Sequence, residues 1–131
     1  MMNLISKSFK PTESELEILS ILWNKGPSTV REVNEEMNRN KNVGYTTTLK
    51  LMQIMTEKGM VERVMDGRMH VYNAVAKQED AQVRMLDRIL ETAFGGSASK
   101  LVLQALGNHK TSDEELKEIK ALIKKLEEEN S

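Results

Sequence analysis

Leu16, Leu19, Leu22 and Trp23, with Ile18 beside them, recur at the three- and four-residue steps of an amphipathic helix. Just before this stripe, Thr12-Glu13-Ser14-Glu15 has the form of a capping box, and Pro11 discourages helix upstream. Gly26-Pro27 closes the run, since Gly can take positive φ and Pro cannot extend a helix. The pattern predicts a first helix over Thr12 to Lys25. A second box, Thr29-Val30-Arg31-Glu32, opens a short helix with Val30, Val33 and Met37 on one face, and the polar run Asn38-Arg39-Asn40-Lys41-Asn42 ends it. After Gly44 a third pattern runs from Tyr45 to Lys58, with Thr48, Leu51, Met52 and Met55 as its apolar stripe and Gly59 as the terminating αL residue.

Two β-prone runs follow, Met60 to Met65 and Met69 to Val75, joined by Asp66-Gly67-Arg68, whose Asp-Gly pair tolerates the φ values of a tight hairpin. Beyond the hairpin the period returns to that of a helix. Val83, Leu86, Ile89, Leu90 and Phe94 mark a fourth helix over Gln78 to Phe94, and Gly95-Gly96-Ser97 breaks it. Ser99 to Leu106, with Leu101, Leu103 and Leu106, forms a short apolar helix, and an S-x-x-E pattern from Ser112 to Glu115 caps a last one. In that last helix Leu116, Ile119, Ile123 and Leu126 make one apolar seam on a surface of Glu and Lys.

The expected architecture is mainly α: a three-helix domain with a β-hairpin over residues 1–76, then a helical domain over 77–131. The second region has apolar stripes on three helices but too few residues for a stable core of its own. Pairing with a second copy would cover those stripes, which makes Val83, Leu86, Ile89, Leu90, Leu101, Leu103, Leu106, Leu116, Ile119, Ile123 and Leu126 the candidate dimerisation residues.

Composition narrows the function. With 39% apolar and 30% charged residues in 131, the chain reads as soluble and globular. It has no cysteine, so disulfides, thiolate metal sites and thiol nucleophiles are excluded, and a reducing, cytoplasmic setting is expected. The opening ten residues lack a signal-like apolar core, and no stretch approaches the roughly 18 apolar residues of a membrane helix, so no membrane insertion is expected. The net charge of -1 is not that of a strongly basic nucleic-acid binder. The basic charge is local: between Arg39 and Tyr72, Arg39, Lys41, Lys50, Lys58, Arg63 and Arg68 outnumber Glu57, Glu62 and Asp66.

Two helices joined by a turn, the second running directly into a hairpin, is the layout of a winged helix-turn-helix, whose third helix enters the major groove of DNA. If the apolar stripe of the third helix faces the core, Thr46, Thr47, Lys50, Gln53 and Ile54 turn outward. A threonine hydroxyl can donate or accept, and its methyl can meet a thymine methyl. The first turns of the second helix, from Thr29, and of the third, from Tyr45, offer free N–H groups to phosphates, while Lys41, Arg63 and Arg68 add backbone charge. Taken singly, Thr46 and Thr47 read as caps and the lysines as a solvated face; the ordered assembly favours double-stranded DNA.

Through Thr12 to Leu19, the Leu22-Trp23 pair, Thr29-Val30-Arg31-Glu32-Val33, Tyr45-Thr46-Thr47-Thr48, Lys58-Gly59-Met60-Val61 and Gly67-Arg68 leading to Tyr72, the sequence resembles the BlaI/MecI penicillinase-repressor family over essentially its whole length. The resemblance implies a homodimeric repressor on a palindromic operator, with Thr46 and Thr47 at major-groove positions and Arg68 at the wing tip. Ile54 departs from it, since many relatives have arginine there. It also implies proteolytic release under a membrane sensor metalloprotease, at a bond that is Asn-Phe in relatives and falls on Gln104-Ala105 here. A similar copper-responsive branch carries paired cysteines near its C-terminus, which this chain lacks.

Other constellations are weaker. His70 and His109 have no second metal ligand at a recognisable spacing, and no nucleophile elbow surrounds any serine, so no metal, cofactor, small-molecule substrate or enzymatic activity is expected. Of nine methionines several lie in the third helix and the hairpin, and methionine at helical spacing reads as core filling before it reads as a pocket. The rival class of function is a winged-helix protein-interaction module without DNA binding.

Overall fold

The computed structural model describes residues 9–131, so most of the opening run read above as lacking a signal-like core lies outside the described residues. The elements are α1 (Glu13–Lys25), α2 (Val30–Met37), α3 (Tyr45–Glu57), β1 (Val61–Asp66), β2 (Met69–Ala74), α4 (Gln78–Ala93), α5 (Ala98–Asn108) and α6 (Asp113–Glu129). The chain divides into two compact units, Met1–Asp87 and Arg88–Ser131. This division falls inside α4, later than the boundary after Ala76 expected from the sequence. Ala81, on the first turn of α4, is fully buried beside Ala76 and packs with Phe9 and Trp23, which ties the start of α4 to the first unit.

Both expected capping boxes of the first unit form. Thr12 Oγ1 accepts from Glu15 N at 3.2 Å while Thr12 N donates to Glu15 Oε1 at 2.9 Å, and Thr29 and Glu32 repeat the exchange at the same distances. The stripes read from the sequence meet as one core: Ile18, Leu19 and Leu22 of α1, Val30, Val33 and Met37 of α2, and Met52 and Met55 of α3, closed by Met60, Val61 and Tyr72. Trp23 packs against this core, and its indole N–H donates to Ala76 O at 2.9 Å, fastening α1 to the segment ahead of α4.

Glu15 does a second job besides capping. Its carboxylate is buried, and Oε2 accepts from Lys58 Nζ at 2.8 Å, joining the start of α1 to the end of α3. Burial raises the carboxyl pKa, but the hydrogen bond and charge of Lys58 and the bonds from Thr12 outweigh it, leaving the group below its ordinary value. A depressed carboxyl contributes stability that is present above its unfolded pKa, about 4.3, and is lost as pH falls through the folded value. Glu15→Gln is therefore expected to be less stable than the parent at neutral pH, with a gap in urea unfolding that closes as both are taken to about pH 2. A gap of constant size across that range would show that the charge of Glu15 contributes nothing.

β1 and β2 pair antiparallel in the register Val61↔Ala74 to Asp66↔Met69, with Gly67 at φ 65° in the turn, a value that suits glycine. Ser28, in the link between α1 and α2, exchanges backbone hydrogen bonds with Tyr72 at 3.1 and 2.8 Å, so the hairpin is fastened to the helical body. Cross-strand pairing puts Val61, Arg63 and Met65 on one face with Ala74, Tyr72 and His70. Tyr72 and Val61 are buried, so that face looks toward the core at its inner end and opens outward along Arg63 and His70.

In the second unit Ser97 caps α5, and Ser112 and Glu115 form the expected box at the start of α6. α5 extends to Asn108, one residue earlier and two later than the sequence pattern indicated. No residue of α5 or α6 is buried by the described residues. No helix among the described residues is long and apolar enough to cross a membrane.

Candidate nucleic-acid interface

α3 presents two faces because of how it is seated. Thr48, Met52 and Met55 are buried, and the 3.6-residue period then places Thr46, Thr47, Lys50 and Gln53 in solvent. Ile54, expected outward, is half-buried, and Leu51 of the expected core stripe is half-buried against the core. The turn leading into α3 is held by two asparagines, Asn34 within α2 and Asn38 at the head of the polar run that ends it. Asn34 Nδ2 donates to Thr48 Oγ1 at 2.8 Å and to Val43 O at 3.0 Å, while Asn38 Nδ2 donates to Val43 O at 2.8 Å and its Oδ1 accepts from Val43 N at 3.0 Å. Thr48 is thus spent on locking α3 to α2, and its neighbours Thr46 and Thr47 are left outside.

The N-terminus of α3 is open to a ligand in a way that the N-terminus of α2 is not. Gly44 is the N-cap residue and makes no side-chain cap, and no acid stands in the first turn. The N–H groups of Tyr45, Thr46 and Thr47 precede the first intrahelical donor, Thr48 N to Gly44 O, and point away from the helix with its positive dipole end. Thr46 and Thr47 are therefore first-turn residues and not caps. At α2 the Thr29 hydroxyl accepts from Glu32 N and the Thr29 N–H donates to the Glu32 carboxylate, whose pKa the hydrogen bonds from Thr29 lower, so an ionised carboxylate stands at that N-cap and fewer donors are free there.

Ion pairing sorts the basic residues into two sets. Lys25 and Arg39 pair with Glu36 at 3.6 and 3.3 Å, Lys58 with Glu15, and Lys41 with Glu17 at 2.7 Å. The hydrogen bond and charge of Glu17 raise the pKa of Lys41, which was expected to contact the DNA backbone and is instead drawn to α1. Lys50, Arg63 and Arg68 have no ion-pair partner among the described residues and are exposed. Of the six basic residues between Arg39 and Tyr72, the three left free lie on α3 and the hairpin.

Between the start of α2, the first turns of α3 and the hairpin lies an open cleft of about 530 Å3. It brings together Thr29, Tyr45 and Arg63, which the sequence singled out, with Arg31 and His70, which it did not assign to DNA. Arg31 enters the sequence pattern only as part of the α2 capping motif and His70 only as part of a strand, and nothing local indicates that the two converge. Gln53 borders a second cleft with Glu57, Glu62 and Arg63, at the far end of the exposed row. Chemically, the surface combines hydroxyls, an amide, an ammonium and guanidinium groups around one uncapped helix start, a donor-rich set suited to base edges and phosphates.

The chain is 21% identical over 120 residues to the methicillin resistance regulatory protein MecI of Staphylococcus aureus (strain N315), covering 92% of this chain and 98% of that one. It is 21% identical over 120 residues to a Staphylococcus aureus penicillinase repressor, covering 92% and 95%. The transcriptional regulator BlaI of Mycobacterium tuberculosis (strain CDC 1551 / Oshkosh) is 29% identical over 85 residues, 63% of this chain and 62% of its own. Among solved structures, a MarR family protein from Bacillus stearothermophilus shares the fold at a TM-score of 0.50 and 23% identity, covering 92% of this chain and 76% of that one. The model of the family described as Penicillinase repressor matches residues 11–125, which takes in the winged helix and almost all of the helices after it, and the chain belongs to that family of transcriptional repressors.

Proposed function

We propose that the chain is a sequence-specific DNA-binding repressor that acts in the cytoplasm as a homodimer on a pseudo-palindromic operator and blocks transcription by occupying a promoter. The observation that carries this reading is the solvent-facing row of Thr46, Thr47, Lys50 and Gln53 on α3, beside free arginines on the hairpin. In it, α3 enters the major groove, Thr46 and Thr47 meet base edges, and Lys50, Arg63 and Arg68 hold phosphates. Membership of a repressor family supports the direction of control.

Two readouts separate these roles. Thr47→Ala is expected to cost roughly 1 to 3 kcal/mol on the cognate duplex and little on random DNA, whereas Arg68→Ala should weaken both alike and flatten the salt dependence. Mobility shifts with the chain's own upstream region and a scrambled duplex measure both. Equal losses for Thr47→Ala on the two duplexes would remove it from base reading, and no shift of the upstream region by the parent would remove the DNA-binding reading as a whole. That last result would favour a protein-interaction module, for which the exposed Val64, Met65 and Met69 of the hairpin would be the contact.

The dimer rests on unburied seams. Val83, Leu86, Ile89, Leu103, Ile123 and Leu126 are exposed, and Leu90, Leu101, Leu106, Leu116 and Ile119 only partly covered. A second copy would bury them and set two α3 helices about one or a few DNA turns apart. Release by a signal, through a membrane sensor metalloprotease, rests on the family resemblance. Gln104 and Ala105 lie exposed in α5, and cleavage between them would sever Leu106 and all of α6 from the rest of the seam.

A further inference from the structure

The structure assigns a second anchoring site to this surface: we infer that the cleft between α2, α3 and the hairpin seats one phosphodiester of the strand that separates the two DNA grooves, with Arg31 and His70 as new contacts. The inference rests on the DNA-binding reading and deepens it. With α3 in the major groove and the hairpin arginines on phosphates, the sugar-phosphate strand that borders the groove runs between the helix and the hairpin. In this protein the space between α3 and the hairpin is that cleft.

Its lining has the chemistry that such a passenger needs. Arg31 of α2 and Arg63 of β1 stand on its walls, both exposed and without an ion-pair partner among the described residues. A guanidinium fork matches two phosphate oxygens at once, and a histidine N–H from His70 of β2 can serve a third lone pair. The Tyr45 side chain, half exposed at the first turn of α3, lines the same space beside the uncapped N–H groups of that turn. Leu49 and Tyr72 add apolar surface, which suits a deoxyribose ring. The four cleft groups come from four different elements, so only the assembled winged helix presents them together.

The test measures operator binding by the full chain as a function of salt, alongside Arg31→Gln, Arg63→Gln and Arg39→Gln. Arg39 serves as control because it is exposed and already paired with Glu36. Arg31→Gln and Arg63→Gln are each expected to weaken binding, and the two together to reduce the slope of log K against log salt by about 0.9, the share of one phosphate, on cognate and random duplexes alike, with Arg39→Gln leaving it unchanged. A second measurement places single neutral methylphosphonates along each strand. At one position the parent should lose affinity and Arg31→Gln should lose none further, and His70→Ala should overlap at that same position. An unchanged slope for the double cleft variant, or losses that add at every position, would overturn the cleft assignment while tight binding by the parent still upholds the DNA reading. If inorganic phosphate instead binds the DNA-free chain saturably in an Arg31-dependent way without any such overlap, the cleft belongs to a free anion and the inference fails. Failure of the parent to bind any duplex would take both readings away.

Discussion

Met52→Ala is expected to lower the unfolding free energy by about 3 kcal/mol, within the range of about 2 to 5 kcal/mol seen when a buried Met or Leu is truncated to alanine. Met52 is 0% exposed and sits on the stripe by which α3 rests on α1 and α2. Truncation removes its transfer free energy and leaves a cavity that three helices converging on one small core cannot fully close. Domains of this size are stabilised by only about 5 to 15 kcal/mol in total, so the loss is a large share. Gln53→Ala, one residue along and exposed, is expected to change stability by less than about 0.5 kcal/mol. Urea titrations of the two variants check this contrast. A loss below about 1 kcal/mol for Met52→Ala would mean that the seating of α3 depends on something other than this packing.

Leu86→Glu combined with Ile89→Glu is expected to leave the chain monomeric and to weaken operator binding by at least about a hundredfold. Both side chains are close to half exposed in α4, so charge there costs the single chain little, whereas two carboxylates facing their symmetry mates across a desolvated seam would repel. The loss of affinity follows from linkage: a dimer converts its second half-site contact into an intramolecular event, an advantage of roughly 100- to 10,000-fold that vanishes with the partner. Light scattering at micromolar concentration reads the assembly, and mobility shifts on one and two half-sites read its consequence. A parent chain that scatters as a monomer would end the dimer reading, and a double variant that remains dimeric would move the interface away from α4 toward α5 and α6.

Much of the first unit was legible along the chain because its signals are local. A capping box needs only the residues from Thr12 to Glu15 or from Thr29 to Glu32, and each box forms as read. The stripe of Thr48, Met52 and Met55 on α3 is a matter of period alone, and the outward row of Thr46, Thr47, Lys50 and Gln53 follows from it by geometry. The limits appear where a residue answers to something distant. Lys41 read as free charge until Glu17 of α1, brought beside it by the turn, took its ammonium. Asn38 reads as part of a polar run that ends α2 and Asn34 carries no signal of its own, yet the two hold Val43 and Thr48 across the turn.

By itself, then, the order of apolar and polar residues determined the helices, the hairpin and which face of α3 meets solvent, because periodicity, capping and turn chemistry act within a few positions. Only the tertiary structure decided which cations are spent and which are free, that the first turn of α4 belongs with the winged helix, and that Arg31 and His70 share a cleft. Those outcomes depend on pairs such as Glu15 with Lys58 and Trp23 with Ala76, whose partners lie far apart in the chain and meet only when the core brings their elements together.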